Sequence, residues 1–386
     1  MRNRKWMLGV VLAALLVASV VNVRAQDDPL AGLDPSGVTL QYWHEWAGSQ
    51  ETGMDQIIEN FNSTNEWGIT VEQTKFGAGP GLSENLSTAI TAGETPNLAG
   101  DGFVGRALGW YLDGVLVPLD IYTDSATWGL SEEERALINQ ELLAINRPAL
   151  APFDGQLLAW PVGISSNVMS VNLDLLAEAG FDSVPTTFED FRAAACAVAE
   201  LEETNGGLAM RISASELYNF ILSFGGPVYD AEADRFVLTD DATLQALQYL
   251  QDLYNDDCAY IPEGGGFANT GEFSLGLNAF ALGSSVGVPF IQGPMNEAGL
   301  EINWINTTTP WAEGNRTLPT FLRGVVMMQG TPEENLATWL FIKYWATDPE
   351  AQRIWTESAQ YQPYNSAVPA LISEEFLATN PPVREL

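Results

Sequence analysis

The stretch Val38–Asn62, VTLQYWHEWAGSQETGMDQIIENFN, carries the pattern that decides the fold. It begins with the alternation of a strand, V-x-L-x-Y, and continues with apolar residues at helical spacing, Met54, Ile57, Ile58 and Phe61. A period of two residues is typical of a half-buried strand, and a period near 3.6 residues is typical of an amphipathic helix. The stretch therefore predicts a strand that is followed directly by a helix.

The same alternation continues along the chain. GITVEQTKF alternates as a strand, GLSENLSTAITAG places Leu86, Ala89 and Ile90 on one helical face, and TPNLAG is typical of a short buried strand. In the second half, TTFEDFRAAACAVAELE and TDDATLQALQYLQDLYND predict helices, the first of which opens with the capping pattern Thr187-x-x-Asp190. Strands that alternate with helices predict an α/β fold whose mostly parallel sheets are covered on both faces.

Composition and charge limit the class of protein. The chain has 386 residues, of which 46% are hydrophobic and 10% aromatic, which is enough for two lobes with cores of their own. Its formal net charge is −34 at pH 7. Such a surface repels nucleic acid and anionic lipid headgroups. We therefore expect a soluble protein that does not bind polyanions.

The N-terminus predicts export. MRNRKWMLGVVLAALLVASVVNVRA has a basic start, an apolar run from Trp6 to Val21, and the small-residue site Val23-Arg24-Ala25. This order is that of a secretory signal peptide, and the apolar run is short for a membrane-spanning helix. We predict a signal peptide over 1–25, a polar linker over 26–37, and a location in the periplasm or at the extracellular face of a bacterial cell. An uncleaved anchor is the alternative.

The chain has two cysteines, Cys196 and Cys258, both in helix-like segments. An exported protein reaches an oxidising compartment, so a disulfide between them is the interpretation that we favour. Two separately buried thiols are the alternative. A catalytic thiol is not expected, because no basic neighbour would activate either residue.

Motifs for cofactor or catalytic chemistry are weak. GDGFVG, Gly100–Gly105, matches the dinucleotide pattern G-x-G-x-x-G, but the preceding strand is short and is not the first, so we interpret it as a loop after a parallel strand. One histidine is too few for a transition-metal site, and GISSN lacks the G-x-S-x-G nucleophile elbow. We predict no cofactor, no metal and no catalytic residue. A pair among the fifty acids that hydrolyses glycosides stays open as an alternative.

Aromatic side chains beside hydrogen-bonding groups point to ligand binding. Trp43 and Trp46 follow the first predicted strand, at the carboxyl end where open α/β sheets bind ligands. Flat apolar faces next to amides and hydroxyls suit ligands such as sugars, which are apolar on one face and hydroxylated at the edge. We predict that this cluster forms one wall of a cleft, and that His44, the single histidine, contributes at most a hydrogen bond.

From Val38 to about Val368, the ordered segments resemble the extracellular solute-binding proteins of ABC transporters, in the branch that serves carbohydrates and glycerol-3-phosphate. YWHEW followed by IIENFN is similar to the family's first strand and helix. LSTAITAGETPNL is similar to its A-I-x-A-G-x-x-P-D segment, with Asn97 in place of Asp. FDGQLLAWPVGISSNVMSVNLDLLAEAGFDSVPTTFEDF is the strongest likeness, and EFSLGLNAFALGSS and AQYQPYNSAV resemble two later family segments.

The resemblance implies a two-lobe, type II periplasmic-binding-protein-like fold, in which a mostly parallel sheet flanked by helices forms each lobe and a hinge joins the lobes. It implies an N-terminal lobe of 38–162 and 300–326 and a C-terminal lobe of 163–299 and 327–386. It places chain crossings near Pro161–Asn167, Gly287–Leu300 and Val326–Gly330. Relatives continue for several helices beyond the region that matches NPPVREL, so either that tail is absent or the sequence is a fragment.

Carried over position by position, the resemblance implies ligand-binding residues in the loops and crossings between the lobes: Trp43, His44, Trp46, Glu51, Asp101, Ser166, Asn167, Tyr218, Phe224, Gly225, Ser284, Ser285, Arg323, Gly324 and Tyr361. It implies a monomeric, non-enzymatic receptor that captures a sugar or oligosaccharide and delivers it to the permease subunits of an ABC importer. Glycerol-3-phosphate or a glycerophosphodiester is the alternative ligand, and an exported glycoside hydrolase is the alternative from another class.

Overall fold

A computed structural model describes residues 28–77, 81–100, 104–230 and 232–379. The predicted signal peptide, the first residues of the linker and Asp101 lie outside the described residues. The strands are β1 (Thr39–His44), β2 (Thr70–Lys75), β3 (Leu98–Ala99), β4 (Trp160–Asn172), β5 (Gly206–Ala209), β6 (Tyr229–Asp230), β7 (Arg235–Phe236), β8 (Ala259–Tyr260), β9 (Asn278–Ser284), β10 (Trp304–Thr307) and β11 (Thr320–Met327).

The helices are α1 (Ser49–Thr64), α2 (Gly81–Ala92), α3 (Val104–Leu112), α4 (Asp120–Thr123), α5 (Glu132–Leu137), α6 (Gln140–Ile145), α7 (Leu173–Glu178), α8 (Phe188–Ala199), α9 (Ala214–Ser223), α10 (Asp241–Asn255), α11 (Ala268–Ser274), α12 (Val288–Glu297), α13 (Pro332–Thr347), α14 (Pro349–Ala359) and α15 (Glu374–Thr379). None of the helices in the described part of the chain is long and apolar enough to cross a bilayer.

The opening stretch folds as its pattern predicts. β1 buries Leu40 and Tyr42 on alternate positions, and α1 buries Met54, Ile57 and Phe61 on one face. The alternate apolar residues of β1 form the buried face of the sheet, and the apolar face of α1 packs toward the same core.

The main sheet has the strand order β2-β1-β3-β11-β4-β9-β5-β8, and β10 also pairs with β4. β1 is parallel to β2 and β3, and β5 is parallel to β8 and β9. β4 and β11 run antiparallel to their neighbours in the middle of the sheet. The sheet is thus parallel toward both of its outer edges and antiparallel at its centre, which makes the fold mixed α/β.

Strand β4 carries the chain from one lobe to the other. Its first half, Trp160–Ser166, pairs with β11, and its second half pairs with β9 and β10. Trp160 and Val162 belong to the first large core cluster, whereas Met169 and Val171 belong to the second. The core therefore changes within Val162–Met169, a span that overlaps the predicted crossing near Pro161–Asn167.

The segments that build each lobe differ from the expected boundaries. α13 and α14 pack in the first core with β1 and α1: the ring of Phe341 lies 5.2 Å from that of Phe61, and Trp355 lies 5.0 Å from Trp46. Residues 327–364 thus lie with the first lobe, not the second. α13 is buried on nearly every side, so its sequence predicts a core helix without indicating which sheet covers it.

The second lobe is built by one continuous segment. Its two core clusters draw on residues 169–305, and Trp304 of β10 packs against Phe273 at 5.7 Å between ring centroids. β10 therefore lies in the second lobe, although the sequence analysis assigned 300–326 to the first. Val286, just before the predicted crossing Gly287–Leu300, packs against the first core cluster, but Val288, Ile291 and Met295 lie in a second-lobe cluster. The chain returns to the first lobe through the segment that leads into β11, before the predicted crossing Val326–Gly330.

The return segment between β10 and β11 leaves the sheet next to β4. Thr307 pairs with Met169 at the end of β10, and Thr320 pairs with Ser166 at the start of β11. Between them, residues 308–319 leave the sheet and bind the second lobe. The Trp311 amide donates to the Thr186 carbonyl at 3.1 Å, and the Ala312 amide donates to the Ser223 carbonyl at 3.0 Å.

Cys196 of α8 and Cys258, which precedes β8, are joined in a disulfide. The bond ties a covering helix to an edge strand within the second core cluster, in which Cys258 is buried.

Candidate functional site

The two lobes meet where β11 runs beside β4, and Arg323 stands at this point. Arg323 pairs with Gly163 across the two strands, and the register shifts between Arg323 and Gly324. The Arg323 side chain reaches the loop after β1, where it contacts Glu45. This loop is at the carboxyl end of a parallel strand.

Arg323 forms an ion pair with Glu45, the residue between His44 and Trp46. The side chains of Arg323 and Glu45 are only 20% and 14% exposed. The guanidinium carbon also lies 5.4 Å from the centroid of the Trp46 ring, within cation–π range. The site therefore contains a largely buried, charge-compensated pair above an indole face.

Tyr361 is buried next to Arg323. Burial raises the pKa of the Tyr361 hydroxyl, and the guanidinium of Arg323 acts in the opposite direction. The Tyr361 ring stacks on Trp355 at 6.0 Å and stands edge-on to Trp46 at 6.4 Å. Tyr361 and Trp46 are both predicted site residues, and the structure brings them together around Arg323.

Trp46 lies in the core, not on the surface of a cleft. It is 0% exposed, its indole N–H donates to the Tyr42 hydroxyl at 2.7 Å, and Trp355 packs edge-on against it. The prediction that Trp46 offers a ring face to a ligand is therefore corrected. Its position after a strand predicts an exposed ring, but Trp355 of α14 packs against the ring and covers it.

His44 is also buried, with 0% exposure. Its Nδ1 accepts the Trp46 amide hydrogen at 3.3 Å, so its Nε2 carries the ring proton and donates to Gln73 Oε1 at 2.8 Å. Burial lowers the pKa of His44. The imidazole thus stays neutral and serves an internal hydrogen-bond chain, which corrects its predicted role at the ligand.

Trp43 and Glu51 lie outside this group. Trp43 is half-buried and packs against Phe76 at 5.3 Å and against the third core cluster. The Glu51 carboxylate accepts a hydrogen bond from Lys75 Nζ at 3.0 Å, on the partly exposed flank of α1. The structure therefore gives Glu51 a surface partner and does not bring it to Arg323.

The second-lobe side of the crossing is a cluster of small polar residues. The Ser166 amide donates to Ser285 Oγ at 3.0 Å, Asn167 pairs with Ser284, and Asn167 Nδ2 donates to the Ser215 carbonyl at 2.9 Å. The hydroxyl of Ser166 is itself buried and has no hydrogen-bond partner among the residues that the structure describes. The structure thus brings four predicted residues, Ser166, Asn167, Ser284 and Ser285, together at the lobe boundary, where Ser166, Asn167 and Ser285 are buried.

The predicted residues on and after α9 are dispersed. Tyr218 is 38% exposed. Phe224 stacks on Phe188 with ring centroids 3.8 Å apart and is partly buried against the second core, and its contact with a ligand stays a prediction. Gly225 follows with φ +89°, a conformation that favours glycine, and it ends the helix.

Two features of the site were missed from the sequence. Glu45 stands inside YWHEW, but nothing local indicates that its partner lies 278 positions away on another strand. The second missed feature is the start of α9, where Ser213 Oγ accepts the Glu216 amide hydrogen at 3.2 Å. The sequence does contain the Ser-x-x-Glu pattern that is typical of such a helix start. The Glu216 carboxylate accepts a hydrogen bond from the Arg211 guanidinium, with 2.9 Å between Nε and Oε1.

A groove of about 530 Å³ opens beside the start of α9, at the carboxyl ends of β5 and β8. Its walls are mainly apolar and include Met210, Leu250 and Ile261, and the Arg211–Glu216 pair lies within it. Burial raises the pKa of Glu216 to about 7, against the pull of Arg211. Among the described residues, no three His, Cys, Asp or Glu side chains are arranged to hold a metal ion.

Comparison with known proteins gives one family match over most of the chain. Residues 56–383 match the family model described as bacterial extracellular solute-binding protein. A binding protein of Brucella abortus (strain 2308) is 22% identical over 261 residues, which are 66% of this chain and 56% of that protein. The match thus spans about half the length of this curated relative.

Solved structures share the fold. The GacH receptor of Streptomyces glaucescens, solved unliganded and with acarbose, superposes with a TM-score of 0.74 at 18% identity, covering 90% of this chain and 84% of the receptor. UgpB from Mycobacterium tuberculosis, in complex with glycerophosphocholine, gives a TM-score of 0.71 at 17% identity, covering 90% and 85%. At these identities the likeness establishes a two-lobe fold and leaves the ligand to be argued from the site.

Proposed function

The chain belongs to the bacterial extracellular solute-binding proteins, and on that premise we propose that it is the receptor of an ABC importer, which captures a sugar or oligosaccharide between its lobes and delivers it to the membrane permease. The observation that carries the proposal is the meeting of two kinds of groups at one lobe boundary. The Glu45–Arg323 pair lies on the first-lobe side, and the Ser166–Ser285 cluster lies on the second.

The proposed site suits hydroxylated ligands. Each sugar hydroxyl both donates and accepts a hydrogen bond, so it can donate to the Glu45 carboxylate and accept from the Arg323 guanidinium. Ser166, Asn167 and Ser285 would supply hydroxyl and amide groups from the other lobe. Tyr218 and Gly324 stay proposed members of the site, since Tyr218 is exposed and Gly324 follows Arg323 at the register shift.

Closure of the lobes would be driven by the ligand. Groups on one lobe alone bind weakly, and a ligand that touches both lobes shifts the population toward the closed form. The two connections between the lobes, β4 and the segment into β11, are the places where a hinge motion would occur. The receptor would need no catalytic group, and we assign it none.

The family and the N-terminal sequence together support export. We propose that residues 1–25 are a signal peptide and that the mature protein acts as a monomer at the extracytoplasmic face, where it docks on permease subunits. The strongly acidic surface argues against nucleic acid as a partner.

A second ligand class is favoured by one observation. Arg323 is a cation at the lobe boundary, and UgpB, with the same fold, was solved with glycerophosphocholine. Glycerol-3-phosphate or a glycerophosphodiester is therefore the second candidate.

Thermal shift followed by calorimetry would test the proposal. Maltose, maltotriose, glycerol 3-phosphate and glycerophosphocholine would each be added to the purified protein, because a ligand at 100 times its Kd stabilises the native state by about 2.7 kcal/mol. We expect a neutral saccharide to raise Tm and to bind with 1:1 stoichiometry, without release of reducing sugar. Binding of the glycerophosphates alone would support the second candidate, and turnover of an oligosaccharide would overturn the receptor function.

A further inference from the structure

The ion pair between Glu45 and Arg323 sets the charge of the lobe boundary. A phosphate-binding arginine offers its planar array of donors to the anion, often in a bidentate arrangement. Here a carboxylate of the same chain already occupies that partner position, and both side chains are at least four-fifths buried. A phosphate at this point would therefore compete with Glu45 for the guanidinium.

The surroundings strengthen this competition. One face of the guanidinium lies over the Trp46 ring, and Tyr361 lies beside it. These neighbours hold the cation in place by ring contacts and burial and limit the directions from which a second anion could approach. The chain as a whole carries a formal charge of −34, which disfavours approach of a dianion further.

We propose that Glu45 is a specificity-determining residue: by pairing with Arg323, it makes the cleft electrically neutral, so that the site accepts uncharged polyhydroxylated ligands and rejects phosphomonoesters. This inference rests on the proposed receptor function and names the charge class of its ligand. A hydroxyl joins the pair as donor to the carboxylate and acceptor from the guanidinium, whereas an ionised phosphate oxygen has no proton to donate and places its charge beside the carboxylate of Glu45.

The test compares anion binding by three variants with that of the wild-type chain, with inorganic phosphate as the first probe. Glu45→Gln removes the competing charge and keeps the shape of the side chain. Asp124→Asn removes a carboxylate from an exposed Arg–Asp pair, Arg135–Asp124, and serves as the matched control. Glu45→Gln/Arg323→Gln removes both charges and tests whether any gain depends on Arg323. Circular dichroism and Tm would establish folding before calorimetry at about 0.1 M salt, where long-range charge effects are screened.

We expect Glu45→Gln to bind inorganic phosphate at least tenfold more tightly than wild type, and we expect no such gain for Asp124→Asn or for the double variant. Glycerol 3-phosphate should follow the same order. A gain below threefold in folded Glu45→Gln, or an equal gain in Asp124→Asn, would overturn the proposal. Wild-type protein that binds glycerol 3-phosphate more tightly than maltotriose would overturn it too.

The design separates the two proposals. If wild type binds no saccharide, the sugar-receptor function fails for those ligands, while phosphate binding by Glu45→Gln still reports on the charge of the site. If Glu45→Gln does not fold, the comparison moves to Arg323→Gln and the double variant. The ratio of the glycerol 3-phosphate Kd to the maltotriose Kd should then be at least threefold lower in the double variant than in Arg323→Gln, because the carboxylate of Glu45 repels the phosphate. An equal ratio in the two variants would contradict the proposal.

Discussion

Gly163 on β4 lies directly against Tyr361: a Cβ atom built on Gly163 would stand 2.3 Å from the Cβ of Tyr361. Gly163 also has φ +151°, which side-chain-bearing residues rarely adopt. This close approach lets the segment that holds Tyr361 lie beside the strand that joins the lobes. It is therefore a structural requirement of the site.

Replacing Gly163 by alanine should destabilise the protein by about 2–3 kcal/mol, because the added methyl group has no space and the backbone is strained. Urea unfolding would measure the change. Gly109→Ala is the matched control: Gly109 lies on the exposed side of α3 with open space around it, and alanine there should be neutral or stabilising by about 0.5–1 kcal/mol. Equal stability of Gly163→Ala and wild type would contradict the close contact.

Trp46→Ala should behave as a core mutation. The ring is 0% exposed and packs on Trp355 and Tyr361, so its loss should cost about 3–5 kcal/mol of unfolding free energy. Trp43→Ala should cost less, because Trp43 is half-buried. Chemical denaturation would measure the unfolding free energy of both variants and of wild type. If Trp46→Ala kept wild-type stability and lost only ligand affinity, the core position of Trp46 would be wrong.

Removal of the disulfide should destabilise the chain by about 2–4 kcal/mol, since the bond joins positions 62 residues apart and restricts the unfolded chain. The variant Cys196→Ala/Cys258→Ala and wild type under reducing conditions should show similar falls in Tm. Reductant should not affect the double variant, because the chain has two cysteines in all. If reductant lowered the Tm of the double variant as well, the effect of reductant on wild type could not be assigned to the Cys196–Cys258 bond.

The carboxyl group of Glu216 should make stability depend on pH. Burial raises its pKa from the ordinary 4.5 to about 7, so between these values the folded protein holds a proton that the unfolded chain has released. Its contribution to stability is therefore full below pH 4.5 and is lost as the pH rises to about 7, by an amount on the order of 3 kcal/mol.

Urea unfolding of wild type and Glu216→Gln from pH 4.5 to 7.5 would test this dependence. The difference in unfolding free energy between the two proteins should change across that window, with wild type losing stability relative to the variant as the pH rises. Glu232→Gln, on the exposed hairpin between β6 and β7, is the matched control for the loss of one carboxyl group. A profile for Glu216→Gln that runs parallel to that of wild type would rule out the raised pKa of Glu216.

Local pattern predicted local structure well, and long-range packing less well. The alternation in β1 and the spacing in α1 gave both elements and their buried faces, because each depends on residues that are near in sequence. The assignment of α13 to a lobe failed, because a helix buried on most sides carries no sign of its partner sheet. The same limit hid the pairing of Glu45 with Arg323, which depends on the register of β11 against β4.

The candidate site divides in a similar way. Ser166, Asn167, Ser284 and Ser285 were predicted and lie together, because they sit at the boundary positions of two paired strands. Trp46 and His44 were predicted to contact a ligand and are buried instead, whereas Phe224 is partly buried against the second core. An aromatic residue at the end of an element can turn toward either side, and the sequence of that element does not determine which.

The division of the cores has a consequence for biosynthesis. The second lobe is made by one continuous segment, with core residues from 169 to 305, whereas the first core needs residues before 163 and also β11, α13 and α14. A chain that emerges from its N-terminus can therefore complete the second lobe while the first lobe still lacks part of its core. The first lobe leaves apolar surface uncovered until α13 and α14, the last helices of its core, have been synthesised. Truncations in α13 or α14 should therefore impair the first lobe most, although its first strand is synthesised earliest.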